Sequence, residues 1–114
     1  MSRSPQSEPS YLKGLMFDLD GTLLLSDRSL GNYEILPGAG ELLAELARRQ
    51  FPFVVLTNGS AYPPAQQAAK LRKLGLAVRD ECMLTPSNVA ADLMVSAGVQ
   101  SALVIGGGGV GQAL

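Results

Sequence analysis

The sequence predicts an α/β fold with three layers, in which helices cover both faces of a parallel β-sheet. Short apolar runs alternate with amphipathic segments of about 10–15 residues, a pattern typical of βαβ units. Each apolar run stops abruptly at polar or glycine residues. Because the strands of a parallel sheet run in the same direction, their carboxyl ends share one edge of the sheet, where open α/β sheets bind ligands. We therefore expect the functional residues to follow the strands.

Three apolar runs predict strands, and three amphipathic segments predict helices. The strands are expected at residues 14–17, 52–56 and 102–105. The helices are expected at residues 39–50, 64–74 and 86–97. Pro63 or Pro64 suits the first turn of the second helix, and Gly75 suits its end. Thr85 precedes a proline and suits the N-cap of the third helix. Segment 25–36 is expected to be irregular.

Apolar residues recur in each helical segment every three or four positions, so one face of each helix is expected to pack on the sheet. In the first helix these residues are Leu42, Leu43, Leu46 and Ala47. In the second helix the alanines, Leu71 and Leu74 are expected to face the sheet, and Gln66, Gln67, Lys70 and Lys73 to lie mainly outward. In the third helix the stripe consists of Val89, Ala90, Leu93, Met94 and Ala97.

The composition indicates one soluble globular domain. The chain has 114 residues, of which 46% are hydrophobic, and a net charge of −1, without the basic surplus that favours a nucleic-acid partner. Its apolar runs are too short to cross a membrane. Residues 1–11 are mostly polar with two prolines and are expected to form a disordered leader, not a signal peptide. A single cysteine, Cys82, cannot form an internal disulfide, which favours a reducing cytoplasm.

Two carboxylates, Asp18 and Asp20, follow the first predicted strand. Side chains at positions i and i+2 of a strand point to the same side, so both carboxylates can face one site. Two carboxylates that lie so near to each other repel, and a bound cation or a raised pKa of one of them relieves the repulsion. Carboxylate, water and phosphate oxygens suit Mg²⁺. Histidine does not occur in the sequence, which excludes Ser-His-Asp and Cys-His nucleophile schemes and most zinc sites.

The Asp-x-Asp-Gly pattern has two other interpretations. A calcium-binding loop needs an acidic or amide side chain at its fifth position, glycine at its sixth and glutamate at its twelfth. Thr22, Leu23 and Ser29 occupy these positions, so the calcium loop is excluded. A solvated turn after the strand stays open as the alternative.

Thr57 and Asn58 follow the second predicted strand, and they are expected at the same sheet edge as the two aspartates. A hydroxyl and the amides of the turn at Thr57-Asn58-Gly59 can bind a phosphoryl oxygen, because Gly21 and Gly59 allow backbone N–H groups to approach closely. The alternative for Thr57 and Asn58 is a turn that caps the next helix.

Two segments, Asp18-Leu19-Asp20-Gly21-Thr22-Leu23-Leu24 and Leu56-Thr57-Asn58-Gly59-Ser60, resemble motifs I and II of the haloacid dehalogenase superfamily. Most members of this superfamily are Mg²⁺-dependent phosphohydrolases. The segments Leu36-Pro37-Gly38-Ala39 and 102–109 are similar to the type IIA group, which includes nitrophenylphosphatase-like and nucleotide-phosphatase-like enzymes. The resemblance covers residues 12–114.

The resemblance implies a role for each of the four polar residues in the hydrolysis of a small phosphate monoester. Asp18 would be the nucleophile that forms an aspartyl-phosphate. Asp20 would be the general acid for the leaving alcohol and then the general base for water. Mg²⁺ would be held by the Asp18 carboxylate and the Asp20 backbone carbonyl. Thr57 and Asn58 would hold the phosphoryl group through hydroxyl and backbone N–H.

The sequence departs from the superfamily pattern beyond motif II. The motif III lysine and the acidic residues of motif IV do not occur, so residues 12–114 are expected to form the N-terminal half of a core without its cap. The resemblance then implies weak or no activity for this chain, marginal stability, and self-association through an uncovered sheet edge. The alternative is a non-catalytic remnant or interaction module that folds with a partner or with the missing half.

A run of glycines after the last predicted strand offers a third interpretation. Gly106, Gly108 and Gly111 fit the G-x-G-x-x-G pattern of dinucleotide-binding proteins. Four consecutive glycines fit such a pattern easily, and no acidic residue follows them. A strand-to-helix turn is the favoured interpretation.

Overall fold

The computed structural model describes residues 11–27, 32–59 and 62–106. The strands are β1 (Leu15–Asp18), β2 (Leu24–Asp27), β3 (Asn32–Ile35), β4 (Phe53–Leu56) and β5 (Met83–Leu84). The helices are α1 (Ala39–Arg48), α2 (Pro64–Leu74) and α3 (Pro86–Ser96), and a 3₁₀ turn covers Asp80–Cys82. Of the helices described, none has both the length and the apolar character needed to cross a membrane.

The main sheet is parallel, with strand order β1-β4-β5, which confirms the predicted α/β class. β1 and β4 pair over their full length, with Leu15 opposite Phe53 and Asp18 opposite Leu56. β4 then pairs with β5, where Leu56 is opposite Leu84. All three strands therefore end along one edge, as the sequence predicts.

One face of this sheet carries the core. Alternate side chains of a strand point to opposite faces, so Phe53 and Val55 share a face with their partners on β1. These residues form one apolar cluster with Leu43 from α1, Leu71 from α2 and Met83 from β5. Helices α1 and α2 thus cover the same face, which is what two successive right-handed crossovers in one direction produce.

The helix ends follow the signals in the sequence. α2 begins with Pro64 as its first residue and ends at Gly75, whose φ of 107° is a left-handed conformation that favours glycine. The Thr85 side chain accepts a hydrogen bond from the Asn88 backbone N–H, while the Asn88 side chain accepts one from the Thr85 N–H. This capping box confirms the predicted start of α3.

The third predicted strand is wrong, because residues 102–105 do not join the sheet. Leu103 and Ile105 are 89% and 87% exposed. The third parallel strand is β5 instead, since it pairs with β4. An apolar run becomes a strand only when a neighbour accepts its backbone hydrogen bonds, and within the described residues β1 pairs with β4 alone.

The segment expected to be irregular contains an antiparallel pair, β2 and β3, with Leu24 opposite Ile35 and Asp27 opposite Asn32. Leu24 is 2% exposed, and Ile35 packs against the same cluster. Packing of these two side chains on the core cluster favours the pair. Residues 28–31, which connect the strands, lie outside the described part.

The predicted apolar stripe of α3 is exposed, with Val89 at 45% and Leu93 at 67% of their full accessibility. Within the described part, α3 adds no apolar side chain to the core cluster. The expected stripe of α1 is buried only in part, because Leu43 is fully buried while Leu42 is 44% exposed. The predicted leader lies outside the described residues except for Tyr11, as do Gly108 and Gly111 of the glycine pattern.

Candidate active site

The carboxyl ends of β1 and β4 bring the two predicted motifs side by side. The Leu19 backbone N–H donates to the carbonyl of Leu56 at 3.0 Å, and the Thr57 N–H donates to the carbonyl of Leu84 at 3.1 Å. These bonds continue the parallel ladder one residue past the strands. Asp20 and Asn58 each come directly after a residue, Leu19 or Thr57, that one of these bonds holds at the sheet edge.

The turn after β1 holds Asp20 at the surface. Gly21 adopts a φ of 83°, and its N–H donates to the carbonyl of Leu24 at 2.8 Å. The N–H groups of Thr22 and Leu23 both donate to the carbonyl of Leu19. Leu19 and Leu23 are buried while Asp20 is exposed. The apolar side chains anchor the turn, and the carboxylate of Asp20 stays accessible.

A cavity of about 640 Å³ opens beside this turn. Its walls come from the sheet edge, from β2 and β3, and from the α2 side. The lining residues are Leu19, Asp20, Leu24, Ser26, Tyr33, Thr57, Asn58, Gly59, Tyr62, Gln67, Lys70, Leu71 and Leu74. Three of the four predicted site residues, Asp20, Thr57 and Asn58, thus line one cavity.

The fourth predicted residue, Asp18, is the last residue of β1 and does not line this cavity. Its position in the strand places it on the sheet face of Met16, which is 75% exposed. Asp18 is exposed as well. Both aspartates lie at the end of β1 or just after it, but of the two only Asp20 lines the cavity, which lies on the side of α2.

The Thr57 side chain closes a local turn. Its Oγ1 accepts a hydrogen bond from the Gly59 backbone N–H at 3.1 Å, and the residue is 9% exposed. The alternative that Thr57 caps the next helix is wrong, because α2 has Pro63 as its N-cap and no side-chain cap. An accepted bond leaves the Thr57 hydroxyl proton available to another acceptor.

Gln67, a residue of α2, binds the same turn. Its Nε2 donates to the carbonyl of Gly59 at 3.0 Å and to the carbonyl of Tyr62 at 2.9 Å. The prediction that Gln67 lies mainly outward is wrong, since it is half-buried and lines the cavity. The sequence carries a signal for this position, because Gln67 stands four and seven residues before Leu71 and Leu74 and so shares their helix face.

Lys70 joins the opposite walls of the cavity. Its Nζ donates to the Tyr33 hydroxyl at 2.7 Å and lies 4.1 Å from the centre of the Tyr33 ring. Lys70 is exposed, as predicted, yet it lines the cavity. Sequence reasoning missed Tyr33 because the contact depends on the pairing of β2 with β3. Asp20 and Lys70 are the charged residues among those that line the cavity.

The donors at the strand ends suit a hard cation. The expected donors are the Asp18 carboxylate and the Asp20 backbone carbonyl, and Mg²⁺ binds through one or two carboxylates together with waters and substrate phosphate. Within residues 11–27, 32–59 and 62–106, no group of three or more histidine, cysteine, aspartate or glutamate residues could hold a metal ion. One carboxylate and one carbonyl oxygen are the kinds of donor that Mg²⁺ accepts beside water and phosphate oxygens.

Comparison with known proteins agrees with the fold and the motifs. Residues 15–114 match the sequence model of a family described as haloacid dehalogenase-like hydrolase. A dihydroxyacetone phosphatase from Corynebacterium glutamicum (strain R) is 32% identical over 98 residues, which cover 85% of this chain and 34% of that protein. An acid sugar phosphatase from Staphylococcus saprophyticus is 28% identical over 103 residues, covering 90% of this chain and 38% of the relative.

Solved structures extend the similarity. A putative p-nitrophenyl phosphatase from Bacillus subtilis superposes with a TM-score of 0.71 at 30% identity, covering 89% of this chain and 37% of that one. A 4-nitrophenylphosphatase from Thermotoga maritima gives a TM-score of 0.74 at 26% identity, with coverages of 90% and 37%. The chain thus spans little more than a third of the length of these relatives.

The fold is an α/β domain with a parallel sheet, and polar residues from two strand ends line one cavity at its carboxyl edge. The chain belongs to the haloacid dehalogenase-like hydrolase family, and the solved structures similar to it are of the nitrophenylphosphatase-like type.

Proposed function

We propose that this chain carries the nucleophile half of a Mg²⁺-dependent phosphate-monoester hydrolase, which acts through an aspartyl-phosphate intermediate. One observation carries the proposal: Asp20, Thr57 and Asn58 converge in one cavity at the carboxyl ends of parallel strands. Asp18 ends β1 at the same sheet edge, two positions before Asp20. The curated relatives are named as phosphatases, which supports the same reaction class.

The proposed reaction has two steps that use the same residues. An Asp18 carboxylate oxygen attacks phosphorus, and the bond from phosphorus to the leaving oxygen breaks while Asp20 donates a proton to that oxygen. Water then attacks the phosphorus of the aspartyl-phosphate, Asp20 accepts a proton from it, and the Asp18 carboxylate is released. The Thr57 hydroxyl and the Asn58 backbone N–H donate to phosphoryl oxygens throughout.

The Asp18 carboxylate and the Asp20 backbone carbonyl would hold Mg²⁺. When bound, the cation neutralises negative charge between the phosphate and Asp18. Because the described residues bring no third acidic group to the site, we expect weak Mg²⁺ affinity and low turnover from this chain.

The substrate is proposed to be a small phosphorylated compound. The cavity of about 640 Å³ lies within the range of about 300–1,000 Å³ that is usual for small-molecule sites. We also propose a cytoplasmic location and no nucleic-acid partner, on the grounds of the single cysteine and the net charge of −1.

The dependence on Mg²⁺ tests the proposed reaction. We expect slow release of phosphate from p-nitrophenyl phosphate in excess Mg²⁺, a fall to the buffer rate on addition of EDTA, and recovery when Mg²⁺ is restored. The physical reason is that two anionic groups approach each other only when a cation screens their charges. A rate that is unchanged by EDTA would contradict the proposal.

A second candidate function is that of an interaction module that self-associates through β1. Within the described part of the chain, β1 is hydrogen-bonded on one side only, and its residue Met16 is 75% exposed. Edge strands without a charged or proline residue in their middle pair readily with another chain. A second copy that adds its own β1 to this edge is the proposed partner.

Substitution Met16→Lys tests this pairing. A charge in the middle of an edge strand opposes strand addition, and the exposed position leaves the core intact. We expect sedimentation velocity to show dimers of the wild-type chain that become monomers in the variant at equal concentration. Val95→Lys is the matched control, since Val95 is 77% exposed on α3. A wild-type chain that stays monomeric over a hundredfold range of concentration excludes the pairing.

A further inference from the structure

The turn that follows β4 is fixed from two sides. Within the turn, the Gly59 N–H donates to Thr57 Oγ1 at 3.1 Å. From α2, the Gln67 Nε2 donates to the Gly59 carbonyl at 3.0 Å and to the Tyr62 carbonyl at 2.9 Å. A primary amide has two N–H donors, and both are used here. Both polar groups of the Gly59 backbone are therefore occupied by hydrogen bonds.

These bonds determine where the groups proposed to bind phosphate point. The Thr57 hydroxyl orientation depends on the Gly59 N–H, and the Gly59 position depends on its carbonyl bond to Gln67. Asn58, whose backbone N–H is the second proposed donor, lies between the two fixed residues. A shift of Gly59 would displace both donors, and hydrogen-bond strength falls steeply with misalignment.

The contacts of Gln67 differ from those of the residue beside it. Gln66 is exposed and does not line the cavity, whereas Gln67 is half-buried and does. Gln67 binds Gly59, which lies eight residues earlier in the chain. This bond links α2 to the turn that follows β4. A solvated surface glutamine would make no such pair of contacts.

We propose that Gln67 is a positioning residue for phosphate binding, which holds the turn at Thr57–Gly59 in the geometry that the phosphoryl group requires. The proposal rests on the proposed function, because it assumes that Thr57 and Asn58 bind phosphate. Gln67 lines the cavity, but its two N–H donors bind the Gly59 and Tyr62 carbonyls, so the proposed role acts through the turn.

Substitution Gln67→Glu tests the role at constant side-chain size. It removes both N–H donors and sets a carboxylate against two carbonyl oxygens, so the turn should open. We expect the affinity for inorganic phosphate in the presence of Mg²⁺ to fall by about tenfold or more, as the loss of two hydrogen bonds predicts. Gln66→Glu makes the same charge change at the exposed neighbour and should leave the affinity unchanged.

Two measurements separate this proposal from the proposed function. Hydrogen exchange of the Gly59 amide, followed by NMR without ligand, reports the turn alone, and phosphate titration reports binding. Faster Gly59 exchange together with weaker binding in Gln67→Glu supports the proposal. Unchanged exchange in the variant overturns it. Faster exchange with unchanged affinity overturns the positioning role as well, because the turn would then not control binding.

Failure of the proposed function has a different signature. A wild-type chain with a protected Gly59 amide that binds no phosphate overturns the proposed function, and the positioning role falls with it. If Gln67→Glu does not fold by circular dichroism, Gln67→Met provides the comparison. Methionine is similar in length, suits a helix and lacks N–H donors, so it should reproduce the faster exchange and the loss of affinity.

Discussion

Replacement of Asp18 by asparagine should lower the Mg²⁺-dependent hydrolysis of p-nitrophenyl phosphate by at least about a hundredfold. The amide is nearly identical in shape to the carboxylate, but it is not a nucleophile and cannot form the aspartyl-phosphate. It is also a poorer ligand for Mg²⁺. Asp18 is exposed at the end of β1, so the change should not disturb the packing of the domain.

The measurement is the initial rate at saturating Mg²⁺, compared among the wild-type chain, Asp18→Asn and Asp92→Asn. Asp92 is an exposed residue of α3 that does not line the cavity, so its variant should keep the wild-type rate. Equal residual rates in all three proteins would show that Asp18 does not contribute to the hydrolysis. The interaction module would then be the better account of this chain.

Truncation of Leu43 to alanine should destabilise the domain by about 3 kcal/mol, within the range for leucine in a packed core. Leu43 is fully buried and belongs to the apolar cluster between α1 and the sheet. The loss has two parts, the transfer free energy of the removed methyl groups and the cavity that remains. A small domain is stable by only about 5–15 kcal/mol, so the variant should lose a large share of its stability.

The neighbouring substitution Leu42→Ala provides the matched control. Leu42 occupies the next position of α1 but is 44% exposed, and its loss should cost less than about 1 kcal/mol. Urea denaturation of both variants gives the change in the free energy of unfolding from the midpoint and slope. Equal losses at the two positions would show that α1 does not pack on the sheet in the orientation described.

The elements that could be predicted from sequence are those whose cause is local. Gly75 ends α2 because a left-handed residue is needed there, and Thr85 begins α3 because its hydroxyl reaches the backbone of the first turn. Residues 102–105 are as apolar as β4 but make no strand, since strand formation depends on a neighbour that local sequence does not reveal. The pairing of β2 with β3 was missed for the same reason.

The candidate site, like the fold, could be predicted from the sequence only in part. Alternation along the chain predicts that polar groups collect at the strand ends, and Asp20, Thr57 and Asn58 do line one cavity. It does not predict which face of the sheet receives two helices, so the separation of Asp18 from that cavity was not foreseen. Gln67 and Lys70 line the cavity because α2 approaches the turn after β4, which is a fact of packing.

Among the residues that the structure describes, none beyond Met83 belongs to the core cluster. All of its members belong to β1, β4, β5 and the segments that connect them. A chain emerges from the ribosome with its N-terminal part first. The edge that holds Asp20, Thr57 and Asn58 can therefore take shape once residues up to Leu84 have emerged, without waiting for α3 to pack.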